Sequence, residues 1–278
     1  MRVDLIAVAY DSGRRAERMG AGPLRLLNGN LAGTLRADGH QVTTHMVELA
    51  PDAWPAETQS AFRLARDVAV RVAAAGQAGA FPLILSGNCG PAALGAVAGL
   101  RTQPKVFWFD AHGDFNTPDT SISGFMDGTM LAALCGRCWQ RACSEIDGFA
   151  AVREEDVVLI GGHDLDPLEQ DLLAGSAVLH LRGREVIQGL PRRGGIAYLH
   201  IDLDVLDPAE GRVNVYAAPG GLSAEELAGA VQAIATSSDV RVASLTAYDP
   251  AYDPEGALHD KAVSVLRRLL AACDEQHA

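Results

Sequence analysis

Two stretches decide the reading, KVFWFDAHGD (Lys105 to Asp114) and IAYLHIDLDVLDP (Ile196 to Pro208). Each carries an unbroken apolar run that ends in acids. Unbroken runs, as opposed to alternating ones, suit parallel strands covered on both faces. Four further runs share the pattern: Val3 to Tyr10, Phe81 to Gly87, Val157 to Gly162 and Val240 to Pro250. Between them lie Ala/Leu-rich helical patterns over Glu57 to Ala75, Gly90 to Leu100, Ser223 to Ala235 and Asp260 to Ala272. Ser223 and Glu226 form a capping box, in which each side chain can satisfy the other's backbone amide. Alternating strands and helices predict a three-layer α/β/α sandwich around a largely parallel sheet. The 278 residues suit a single domain spanning 1–278.

Composition removes several function classes. The chain has 23 basic against 35 acidic residues, a net charge of −12. Nucleic-acid binding needs a basic footprint, so no such partner is expected. No 18-residue apolar stretch occurs, so no membrane span is expected. The opening MRVDLIAVAYDSG reads as a first strand, not as a signal peptide. Five cysteines in a chain this long do not make a disulfide framework, and the expected location is the reducing cytoplasm. Cys135, Cys138 and Cys143 lack a second pair nearby and read as packing thiols in preference to a zinc site. Trp54 sits in a segment with no clear pattern.

The polar features fall at the carboxyl ends of predicted strands, where open α/β sheets bind ligands. Asp110, His112 and Asp114 are spaced two apart, so an extended backbone would point all three the same way. Asp202 and Asp204 repeat the device. Burying like charges without a partner is costly, and no Lys or Arg lies among them. A bound cation is the economical explanation. Four carboxylates and one imidazole suit Mn²⁺, with Mg²⁺ and Zn²⁺ as alternatives, as one ion or two. Turn formation explains Asp207 before Pro208 better than it explains Asp202 or Asp204. His200 shares the parity of these acids and reads either as a group behind the site or as a satisfied core histidine. The loop Gly113 to Gly128 follows a strand directly, and loops of that length at strand ends are usually functional.

With RMGAGP (Arg18 to Pro23), SGNCGPAALG (Ser86 to Gly95), DAHGDFNTPDTSISG (Asp110 to Gly124), IGGHDLDPLE (Ile160 to Glu169) and HIDLDVLDP (His200 to Pro208), the chain resembles the arginase/agmatinase ureohydrolase family over most of its length. The resemblance implies an arginase-like fold, a manganese centre and hydrolysis of guanidino or related amidino groups by a metal-activated hydroxide. It carries the metal-ligand roles to Asp110, His112, Asp114, Asp202 and Asp204. Cys89 stands where the family has a sixth ligand, a histidine, and some relatives acting on hydroxylated arginine have Cys there. Asn116, Ser121 and Ser123 match groups that hold a substrate α-carboxylate, and Asp166 and Glu169 match groups around its α-ammonium. Hydroxyls and amides donate to a carboxylate, and acids attract a cation. The implied partner is thus a small amino acid. Family members often form trimers or hexamers, so a homo-oligomer is expected, although no assembly segment marks one.

The reacting end departs from the family. A proton-shuttling histidine is replaced by Asp127, an asparagine by Phe125, and the glutamate that pairs with the guanidinium by Ala247. Either Asp127 or Asp249 supplies the missing charge, or the substrate head is less basic, as an N-hydroxyguanidine is. The expectation is an amidinohydrolase with Asp114 and Asp127 as its catalytic acids. A formimino-amino-acid hydrolase and a non-catalytic binder are the alternatives. His163 and Asp164 are placed near the mouth of the site, in a catalytic or a supporting role.

Overall fold

The computed structural model describes residues 1–50, 56–182 and 194–277; Trp54 lies outside them. Eight parallel strands form one sheet: β1 (Arg2–Val8), β2 (Gln41–Met46), β3 (Phe81–Ser86), β4 (Lys105–Asp110), β5 (Val157–Gly161), β6 (Leu179–Leu181), β7 (Ile196–Asp202) and β8 (Asp239–Thr246). Their spatial order is β2-β1-β3-β8-β7-β4-β5-β6. The last two strands insert between β3 and β4, so the four central strands come from distant parts of the chain. A two-stranded hairpin, Tyr10–Asp11 with Arg14–Arg15, follows β1.

Strand parity divides the interior into two cores. Leu5, Leu83, Phe107, Phe109, Leu199, Ile201 and Leu245 meet α1 (Gly22–Asn28), α2 (Leu31–Ala37) and two later helices on one face. Ile6, Ile84, Trp108, Tyr198 and Val242 meet α3 (Glu57–Gln77), α4 (Cys89–Leu100) and α5 (Met130–Leu134) on the other. With helices on both faces, this is the three-layer sandwich expected. A short α6 (Gln140–Cys143) joins the second core, beside Cys135 and Cys138. Burial raises the thiol pKa values of Cys135, Cys138 and Cys143 to about 12, 11 and 12, so they sit there as neutral thiols. Among the described residues the remaining helices are α7 (Pro167–Ala174), α8 (Ala224–Ser237) and α9 (Ala257–His277). The Ser223–Glu226 capping box opens α8 as predicted.

Helix α4 is apolar all round, and eleven of its twelve residues are buried. It lies against α3 so closely that a Cβ on Gly95 would meet Val68, and one on Gly99 would meet Val72, both at 2.5 Å. Glycine at these two positions is what lets the backbones approach. The tight fit fixes the N-terminus of α4, and with it Cys89, over the carboxyl ends of β7 and β8.

Among the described residues, no helix is long and apolar enough to cross a membrane.

Candidate metal centre and substrate cavity

The register of the central strands assembles the site. Trp108, His200 and Ser244 are lateral neighbours on β4, β7 and β8, and Asp202 lies beside Thr246. Two residues beyond Trp108, at the same parity, β4 ends in Asp110. The extended backbone goes only that far. Asp114 lies beyond the strand with φ +48°, and Asp204 sits in a 3-10 turn where its own amide donates to Asp202. The acids therefore converge because the backbone curls back at each strand end. The sequence pattern located the cluster correctly for a reason that is only half right.

The cluster is dense and buried. Asp110, Asp114, Asp202 and Asp204 are at most 6% exposed. Asp110 accepts hydrogen bonds from His112 N (2.8 Å) and Trp108 Nε1 (3.0 Å). Asp204 faces His112 Nδ1 at 3.5 Å and accepts from Asn214 Nδ2 at 3.2 Å. Cys89 Sγ donates to Asp202 Oδ2 at 3.1 Å and contacts Thr246 Oγ1 at 3.2 Å. Burial, then mutual repulsion, raises the pKa values of Asp114 and Asp202 well above the carboxylate range. Burial also raises that of Asp110, against the hydrogen bonds from His112. Burial opposes protonation of His112, but Asp204, Asp110 and Asp164 outweigh it and lift its pKa to about 10. A site that so resists its own charge is built for a cation.

These groups floor a cavity of about 560 Å³. Among the described residues lining it there is no Lys or Arg. Cys89, His112, Asp114, Asp202 and Asp204 line it together with Asn116, Ser121, Ser123, Asp166 and Glu169. Asn116 Nδ2 donates to Asp166 at 3.2 Å. Ser121 and Ser123 accept the Gly124 and Phe125 amides, which leaves both hydroxyl protons free to donate elsewhere. Glu169 accepts from the amides of Phe115 (2.8 Å) and Asp166 (3.3 Å), tying the loop to the start of α7. Burial lifts its pKa to about 7 against those bonds.

Asp127 also lines the cavity, and its carboxylate closes the N-terminus of α4. It accepts from Cys89 N (2.8 Å), Gly90 N (2.8 Å) and Asn88 Nδ2 (3.0 Å). An acid is favoured there by the free amides and the helix dipole. Burial nevertheless raises its pKa to about 7. Asp249, expected as a second source of charge, is excluded: it caps the turn Pro250–Tyr252 by accepting from Ala251 N and does not line the cavity. Asp164 lines the cavity, whereas His163 turns to the Ala218 carbonyl. Phe115 is a core residue with Arg137 over its ring, and Phe125 faces the cavity.

Two contributors were not foreseen. Asn214 is fully buried and bridges Asp204 and the Ala247 carbonyl. Tyr216 stacks on Phe125, with centroids 5.3 Å apart, and lines the cavity. Both lie in an irregular segment after Pro208, where no periodic signal exists to find them.

This arrangement agrees with comparison to known proteins. The arginase family profile matches residues 1–272. The chain belongs to the arginase family. It is 32% identical to an arginase of Bacillus caldovelox over 209 residues, covering 69% of each chain. It is 30% identical to an N(omega)-hydroxy-L-arginine amidinohydrolase of Streptomyces lavendulae over 185 residues, covering 65% of this chain and 63% of that one. The fold matches the crystal structure of Bacillus subtilis arginase with a TM-score of 0.85 at 24% identity, covering 97% and 98% of the two chains. As a member of the arginase family the chain is a ureohydrolase-type enzyme acting on amidino or guanidino groups.

Proposed function

We propose that this enzyme hydrolyses the guanidino or N-hydroxyguanidino head of an arginine-like α-amino acid, with Mn²⁺ as its divalent cofactor, in a reducing cytoplasm. The observation that carries the reading is one cavity lined by both kinds of group. Cation-seeking carboxylates line it together with carboxylate donors and ammonium acceptors. The five cysteines form no disulfide, which supports the compartment.

The residues present fit a metal. Four buried carboxylates face one imidazole, His112, with no Lys or Arg among the described lining residues, and the ligand atoms of Asp110, His112 and Asp204 lie within 4.8 Å of one another. Asp114, Asp202 and Cys89 complete the proposed ligand set. Bound divalent ions supply a water of lowered pKa and a counter-charge for the developing transition state.

The chain's own groups do the rest. Asn116, Ser121 and Ser123 donate to the substrate α-carboxylate, and Asp166 takes its α-ammonium. Glu169 pins the loop that carries the donors. This anchors the head at a fixed depth over the acids. Asp114 accepts the proton of the attacking water and returns it toward the leaving amine. Asp127, held against the α4 amides with a pKa near the operating pH, serves as a second proton carrier. At the place of the family's glutamate, Ala247 offers no counter-charge, and Phe125 and Tyr216 line the same cavity. That favours the less basic N-hydroxyguanidine over arginine.

A panel of N-hydroxyarginine, arginine, agmatine and formiminoglutamate under Mn²⁺ tests this. We expect hydroxyurea from N-hydroxyarginine, a lower rate on arginine, and kcat/KM on agmatine reduced by about 100-fold or more, because its missing carboxylate strands buried donors. Turnover of formiminoglutamate alone would replace the reading with a formimino hydrolase. Saturable binding without product would make the protein a binder. Asp114→Asn should cut kcat by about 10² to 10⁴ while substrate still binds; undiminished turnover would remove Asp114 from the mechanism.

A further inference from the structure

The Cys89 side of the centre contains a donor that the proposed ligand set does not use. His200 is fully buried on β7, directly behind the acids. Its ring is held from three directions. Trp108 stacks on it with centroids 3.7 Å apart, and Nδ1 meets Tyr198 Oη at 2.9 Å and Ser244 Oγ at 2.8 Å. Nε2 points the other way, with a long 3.5 Å contact to Thr246 Oγ1, the hydroxyl that also touches Cys89 Sγ. One ligand atom each from Cys89, Asp110 and His200 lies within 4.8 Å of the other two.

We propose that His200 Nε2, Cys89 Sγ and Asp110 form a nitrogen–sulfur–oxygen site that takes a thiophilic divalent ion of the zinc class, next to an oxygen-rich site at Asp110, His112 and Asp204. The inference rests on the metal-centre reading above and specifies it further. The two triads share Asp110, so the centre has two chemically unlike halves. Thiolate and imidazole favour zinc, and carboxylates favour manganese. Asp202 Oδ2, 3.1 Å from Cys89 Sγ, is at hand as a fourth donor.

The surroundings suit ligation. Burial drops the His200 pKa to about 3, so the ring is neutral. In the tautomer with the proton on Nδ1, facing the Tyr198–Ser244 pair, the lone pair is on Nε2, and an outer partner of this kind is what orients a metal-bound histidine. Trp108 Nε1 fixes Asp110 while the indole face fixes His200, so one side chain sets two donors. Ligation forms the metal–Sγ bond and expels the Cys89 proton to solvent.

The test uses the full chain, stripped by chelator and reloaded with Zn²⁺ alone, Mn²⁺ alone, or both, with metal content measured after gel filtration. We expect about one zinc per chain that an equal concentration of Mn²⁺ does not displace. Zinc-edge X-ray absorption should show one sulfur neighbour at about 2.3 Å. Cys89→Ser and His200→Asn should each weaken zinc binding by about tenfold or more. Zinc bound without a sulfur neighbour, zinc displaced by equal Mn²⁺, or wild-type zinc affinity in both variants would overturn the inference. If His200→Asn does not fold, the sulfur neighbour and Cys89→Ser decide alone. Two Mn²⁺ per chain with no zinc preference would sink this inference and leave the general metal reading standing. No metal under any condition would sink both.

Discussion

Strand β4 begins at Lys105 and ends at Asp110, and its two ends treat an acid in opposite ways. At the amino end, Asp156 accepts from Lys105 at 3.1 Å and from Arg153 at 2.8 Å. Burial pushes its pKa up, but these charge-assisted bonds outweigh burial and hold it below the usual value. At the carboxyl end, Asp110 and its neighbours are at least as buried, and no Lys or Arg lines their cavity among the described residues. Burial there wins, and the pKa values of Asp110, Asp114 and Asp202 rise. The sheet shows no shortage of cations, since the fold places two on a structural acid. Their absence at the other end marks the acids whose counter-ion comes from outside.

The sharpest way to break this contrast is to neutralise one acid at each end. Asp202→Asn should lower turnover by more than about 100-fold, because it removes a proposed ligand. The same change should raise the melting temperature of the metal-free protein by a few degrees, since it relieves buried like-charge repulsion. A lower melting temperature for that metal-free variant would mean the cluster is no reservoir of repulsion. Asp156→Asn should do the reverse: activity intact, and stability reduced by about 1 kcal/mol in denaturant titration. The smallest effect is in the acid limb. A depressed folded pKa stabilises above the unfolded value of 3.8 and loses that stabilisation as pH falls through the lower folded value. Stability measured from pH 5 downward should therefore fall less steeply in Asp156→Asn than in the wild type. Parallel slopes would show that the Asp156 pairs contribute nothing.

Legibility followed the same division. The central strands were readable because strands buried on both faces are apolar without interruption. Edge strand β2, QVTTHM, is half exposed and carries no such signal, and β6 has only three residues. Helices α1, α2 and α5 to α7 span four to eight residues, too few turns to establish a period. Within the site, acids grouped at strand ends stood out because burying them makes no sense without a ligand. Asn214 and Tyr216 gave no warning: a lone Asn and a lone Tyr in a loop acquire meaning only from what folds next to them. Asp249 misled in the opposite sense, since an acid beside Pro250 is equally suited to closing a turn, and it does so.

Trp108 has a use beyond holding its neighbours. The chain contains three tryptophans, and this one is fully buried with its ring against His200 and its N–H on Asp110. Its emission is therefore wired to the centre. A paramagnetic ion such as Mn²⁺ seated there would quench the indole, whereas closed-shell Zn²⁺ would change its intensity without that quenching. With Trp54 and Trp139 replaced by Phe, the protein becomes its own optical gauge of which ion it holds, readable in a cuvette during the titration itself.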